Sequence, residues 1–247
     1  MEIWQYLILV LSVLLGGGVS WWLVDEDERW QGILPLLLSF SGAYLLGIVA
    51  LELIPETFSG HFHGLGLFLL LGFVIQLLLE SLSEGVEHGH VHARKNAAAS
   101  YGIQVMLGLS LHAFLEGLPL AGTETIVHAH GTHSGMENLF SGIVMHKVPA
   151  AFALALLLRQ SGYSKLFGFI CLAGFALMSP LGAWVGSSLM LSEVWYHRVM
   201  ALVIGSLLHV STTILFEADS TTHHRISGKK LLIIIVAMSI AWLTAHG

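Results

Sequence analysis

The chain has 247 residues, 55% of them hydrophobic and 11% charged, with a formal net charge of −6. An ordinary soluble domain is about 25% charged, and a chain of this length could not hide so much apolar surface from water, so a soluble globular protein is excluded. The reading left is an all-α polytopic membrane protein, in which the net charge says little because the charges fall mostly in loops and at helix ends.

Spanning a hydrocarbon core takes about 20 apolar residues. Eight such segments follow one another at roughly 3–24, 31–55, 63–83, 99–121, 138–158, 163–189, 193–217 and 229–246. They are expected to form one transmembrane domain over residues 1–247. No Lys or Arg precedes the first apolar run, so it lacks the positive start of a signal peptide and reads as a retained helix. Asp25 to Arg29 make a solvated turn between the first two segments. The longest polar linker, SEGVEHGHVHARKN, separates the third from the fourth, and GTETIVHAHGTHSGME separates the fourth from the fifth. The single Cys171 lies in the sixth segment, where it has no intrachain partner and reads as a packing thiol.

Positive charge sets the orientation. Alternate loops hold Arg29, Arg94, Lys95, Arg159, Lys165, Arg225, Lys229 and Lys230, while the other set, which includes both termini, holds none. The first set is therefore expected on the cytoplasmic side and both termini outside. A multi-pass protein of the plasma or inner membrane follows, with the lipid bilayer as its surroundings and no nucleic-acid partner. A homodimer is a candidate assembly.

The 15 histidines outnumber the 10 lysines and arginines. In the fourth segment, LGLSLHAFLEGLPLAG carries His112 and Glu116, four residues apart and so on one helical face. Ionisable groups at membrane depth are costly and mark functional positions. The fifth segment carries His146, Lys147 and Pro149 in HKVPAAF. Counted from the outer ends of the two segments, His112, Glu116 and His146 all lie roughly 8–14 Å deep at 1.5 Å per residue, so they can share one layer. Two imidazoles and a carboxylate suit Zn²⁺, and also Fe²⁺ or Mn²⁺. Three protein ligands leave room for water, which favours release over permanent holding. Hydrogen bonding between helices is the alternative role for the two histidines. Pro149 removes one helical hydrogen bond beside His146 and crowds the Met145 carbonyl. Lys147 is a buried ammonium that needs a partner, and Glu116 is one candidate.

Glu52, Glu56, Glu80, His209 and Glu217 lie in or at the ends of apolar segments and are candidate relays along an ion path. His61, His63, His128, His130 and His133 in the outer loops could capture ions. Glu87, His88, His90 and His92 in the inner linker could receive or sense them. Two other classes fit the same residues. A membrane-embedded zinc hydrolase would use His and Glu ligands, although no HExxH motif is present. A membrane haem protein would pair His112 with His146, leaving Glu116 unexplained.

HAFLEG in the fourth segment, HKVPAAF in the fifth, LIPE at the end of the second and the His-rich linker after the third resemble the ZIP family of divalent metal transporters. The resemblance implies eight helices in a three-two-three arrangement and metal, chiefly zinc, carried toward the cytoplasm by alternating access. It matches His112, Glu116 and His146 to the family's ligands and Pro149 to its proline. Ala113, Lys147 and Ala150 stand where many members carry further ligands, and the sixth segment holds no acid. A subgroup with HK-x-P-A-A-F and no second metal site is therefore implied, with Lys147 in the second ion's place.

Overall fold

The structure is a computed structural model that describes residues 1–23, 29–60, 62–89, 94, 98–121, 133–188, 192–217 and 227–246. No strand occurs among the described residues. The first long helix, α1, spans Ile3–Leu23, and α2 spans Arg29–Ile48. A π-helical turn, Val49–Leu53, joins α2 to the short α3, Ile54–Phe58. Then come α4 (Leu65–Ser83), a 3₁₀ turn at Val86–His88, and α5 (Ala99–Gly117), which tightens into a 3₁₀ turn at Leu118–Ala121. The chain continues through α6 (His133–Gln160), α7 (Lys165–Ser188), α8 (Glu193–Glu217) and α9 (Gly228–His246). Among the described residues, eight helices are long and apolar enough to cross a membrane, counting α2 with α3 as one span. The protein is thus an all-helical polytopic membrane protein. The second span reaches Phe58 rather than residue 55, because the π turn lets the helix run on.

The long helices pair α1 with α6, α2 with α9, α4 with α8 and α5 with α7, and α6 also packs on α2. Burial follows from these pairings. α6 and α8 are enclosed over most of their spans, whereas α4 and α9 are mostly exposed. On α4 the buried stripe is Gly72, Gln76, Leu79 and Ser83. Leu67, Leu70, Phe73, Val74, Leu77 and Leu78 point outward, as suits a face that meets hydrocarbon.

Small residues set how closely the interior helices approach. A Cβ at Gly72 would meet the Leu202 carbonyl oxygen at 1.8 Å, and one at Gly205 would meet that of Leu69 at 1.9 Å. α4 and α8 therefore touch backbone to backbone, as small residues permit in membranes. The same contact sets Gln76 and Glu80 of α4 against Ser206 and His209 of α8. On the other side, the Ser179 hydroxyl of α7 donates to the Ala113 carbonyl at 2.7 Å, bracing α5 between its His and its Glu.

The linker after α4 begins differently from the polar, solvated tether read in the sequence. Glu84, Gly85 and Gly89 adopt φ values of 53°, 70° and 89°, in the left-handed region that glycine enters freely. These reversals fold Val86, Glu87 and His88 back into the bundle, where all three are buried.

Candidate metal centre

The site is built at the meeting of α5 and α6. His112 and Glu116, one turn apart, both face inward, at 2% and 1% exposure, and His146 of α6 faces them at 2%. One ligand atom from each of the three lies within 4.8 Å of the others. The His112 Nε2 to Glu116 Oε1 distance is 3.0 Å. The two imidazole rings stand 6.4 Å apart between centroids, nearly perpendicular at 82°. His112 Nε2, Glu116 Oε1 and both ring nitrogens of His146 make no hydrogen bond among the described residues. Buried polar atoms are ordinarily paired, and a group of unpaired ones calls for a ligand. Two imidazole nitrogens and a carboxylate oxygen are donors that zinc accepts.

Lys147, next to His146 on α6, lies at 2% exposure and donates from Nζ to Glu116 Oε2 at 3.3 Å. Its ammonium also stands 5.0 Å from the centre of the Phe175 ring on α7, a cation–π contact that helps to offset burial. Glu116 thus faces His112 with one oxygen and Lys147 with the other. α6 continues unbroken through the buried Pro149.

A second polar group lies beside the first, around α4 and α8. Glu80 binds two histidines: His88 through Nδ1 at 3.1 Å, and His209 through Nε2. The Phe73 ring packs edge-on against His209, with centroids 4.8 Å apart. Glu87 links the two groups. Its Oε1 accepts a hydrogen bond from Gln76 Nε2 at 2.7 Å, and its Oε2 lies 3.7 Å from His112 Nε2. Ser206 donates to Gln76 Oε1 at 2.9 Å and stands 3.5 Å from His112 Nδ1. Polar side chains therefore run without a break from Glu80 to Glu116.

His88, read in a polar linker, is 2% exposed and tied to Glu80, because the left-handed reversals around it turn the chain inward. Of the relay candidates, Glu80 and His209 meet directly. Glu52 is buried in the π turn and accepts from Asn138 Nδ2 at 2.7 Å. Glu56 is half-buried on α3, and His63 is exposed. His61, His90, His92, His128 and His130 lie outside the described residues, as do the side chains of His133, at the start of α6, and Glu217, at the end of α8. Sequence reasoning missed Gln76 and Ser206, and it placed Glu87 only among the linker residues that could receive ions. A signal existed for Gln76, which stands one turn before Glu80 in an otherwise apolar helix. The burial of Glu87, one acid among several polar linker residues, had no such signal.

A family model described as ZIP Zinc transporter matches residues 87–241, a stretch that contains every residue of the α5/α6 site. Among curated proteins, the zinc transporter ZIP9 of Xenopus tropicalis is 32% identical over 156 residues, covering 60% of this chain and 50% of the relative. Zinc transporter ZIP9-A of Xenopus laevis is 31% identical over 172 residues, covering 64% and 55%. Zinc transporter ZIP1 of Danio rerio is 35% identical over 104 residues, covering 42% and 32%. The chain spans about half the length of the ZIP9 relatives it matches. With a match over more than half of its length, and with buried His and Glu donors gathered between two spanning helices, the chain belongs to the ZIP zinc transporter family.

Proposed function

We propose that the protein moves Zn²⁺ across a membrane toward the cytoplasm, with His112, Glu116 and His146 as the transport site. The observation that carries this reading is the convergence of His112, Glu116 and His146, all buried, with one ligand atom of each within 4.8 Å of the others and with His112 Nε2, Glu116 Oε1 and both His146 ring nitrogens left without a hydrogen bond among the described residues. Fe²⁺ and Mn²⁺ accept the same donors and are the competitors to test. Glu80, His88 and His209 continue the polar path from that site toward the inner linker and would receive the ion as it leaves. Glu52, in the π turn near the outer end of the second span, would lie toward the entrance. Alternating access of the α5/α6 site to the two sides accounts for passage without an open pore. The orientation rests on the eight-to-zero distribution of Lys and Arg between the two sets of loops, and the inward direction of transport on the resemblance to the ZIP family. That orientation places both termini and residues 122–137 outside and residues 84–98 inside, in a plasma or inner membrane. The family match lends no support to a hydrolase or haem reading.

Two measurements test the reading. Purified protein in proteoliposomes should take up zinc saturably, with Fe²⁺ and Mn²⁺ competing less well. Uptake equal to that of protein-free vesicles would overturn it. Single cysteines at Thr132 and Val91, in a Cys171→Ala background, report the sidedness. An impermeant thiol reagent applied to intact cells should label Thr132→Cys and spare Val91→Cys, and the opposite pattern would reverse the orientation.

A further inference from the structure

Six of the ten buried side-chain polar atoms that lack a hydrogen-bond partner among the described residues surround the α5/α6 site. Four belong to His112, Glu116 and His146. The other two are Glu87 Oε2 and His88 Nε2, both on the 3₁₀ turn that folds in from the inner linker. We propose that Glu87 is a direct ligand of the transported metal, supplying a fourth donor that the two spanning helices do not provide. The inference rests on the transport-site reading above and adds a ligand to it.

Three observations carry it. Glu87 is 1% exposed, although it lies in a polar linker where water would be the less costly surrounding. Its carboxylate is oriented: Gln76, itself held by Ser206, fixes Oε1 and leaves Oε2 toward His112 Nε2, at 3.7 Å. That nitrogen is also the one that faces Glu116 Oε1 at 3.0 Å. In a tetrahedral zinc site with bonds of about 2.0–2.2 Å, neighbouring donors stand roughly 3.3–3.6 Å apart. The two distances about His112 Nε2 bracket that separation, as they would if both carboxylates and the imidazole faced one ion.

Charge points the same way. Zn²⁺ next to the Lys147 ammonium, with Glu116 as the sole anion, leaves two uncompensated positive charges in a buried site. Glu87 reduces this to one, and uncompensated buried charge is what such sites avoid. Glu87 is also the one proposed donor outside a spanning helix. If the turn withdraws on the cytoplasmic side, the metal loses a ligand on the side to which it is released.

The test uses the full-length protein in detergent and reads binding rather than transport. Glu87→Gln keeps an oxygen for Gln76 to bind and removes the anionic donor. Zinc titrated into this variant should bind at least about 10-fold more weakly, since even the loss of a group that only supports a metal ligand costs about 10- to 100-fold. X-ray absorption at the zinc edge should show two imidazoles retained and one carboxylate lost. Glu84→Gln, on the same linker but paired with Arg94, should bind as the wild type does. If Glu87→Gln does not fold, Glu87→Asp serves under the same criterion, since it draws the oxygens back by one methylene. Affinity within twofold of wild type, or weaker binding with an unchanged zinc-edge ligand shell, overturns the proposal. His112→Ala separates the two readings: its loss of binding, with Glu87→Gln unaffected, leaves the transport site standing without Glu87. Retained binding in His112→Ala would remove the transport-site reading itself.

Discussion

Replacing His112, Glu116 or His146 by Ala should abolish zinc transport while the protein still reaches the membrane. Each supplies one of the three buried donors that the spanning helices bring together, so zinc affinity should fall at least about 100-fold on removal of any one, beyond what the loss of supporting groups costs. The three variants should differ in stability. The His146 ring makes no hydrogen bond among the described residues, so His146→Ala should lose the metal and little else. Glu116→Ala removes the partner of Lys147, and stripping one partner from a buried ion pair costs about 3–5 kcal/mol. It should give less folded protein than His146→Ala, and Glu116→Gln is the better probe of its ligand role. Uptake in proteoliposomes, normalised to folded protein by size-exclusion chromatography, makes the measurement. Normal uptake in any two of the three alanine variants would sink the site assignment.

How much of this site could be read in advance depended on how local its determinants were. The spans were legible because a helix that crosses a bilayer must be a continuous apolar run of about 20 residues, which sequence alone marks. His112 and Glu116 were legible as a pair because four residues make one helical turn. His146 could be placed at their level by counting residues at a fixed rise. Glu80 and His209 could be flagged as costly groups, but not as partners. Their meeting depends on the contact of Gly72 with Leu202 and of Gly205 with Leu69, which no pattern within either helix encodes. Glu87 and His88 were least legible. A run rich in Glu, His and Gly reads as solvated linker, and three consecutive buried residues inside it follow from left-handed backbone at Glu84, Gly85 and Gly89. Those glycines were visible in the sequence, but the direction in which they turn the chain was not.

Lys147→Met should tighten zinc binding and slow turnover. The ammonium lies 3.3 Å from Glu116 Oε2 and 5.0 Å from the centre of the Phe175 ring. An arriving ion must compete with it for that carboxylate. The lysine therefore stabilises the empty site and weakens the filled one, which speeds release. Methionine keeps the approximate shape and removes the charge, leaving Glu116 with His112 as its remaining charge partner. The empty state should then lose a large part of the roughly 3–5 kcal/mol at stake in a buried pair, and zinc should restore it. If a third of that difference appears in binding, the affinity rises about tenfold, since 1.4 kcal/mol is one decade. Two readouts separate this from a simple packing role. The metal-free variant should melt lower than the wild type, and its zinc-induced rise in melting temperature should be larger, because a ligand stabilises in proportion to its preference for the folded form. A lysine that only hydrates the helix would change neither. Charge reversal extends the argument: Ala113 and Ala150 offer no donor beside the site, so Lys147→Glu supplies the missing acid and should raise the zinc stoichiometry of the α5/α6 layer from one to two. Unchanged affinity in Lys147→Met, or two ions in that layer of the unmodified protein, would refute this role for the lysine.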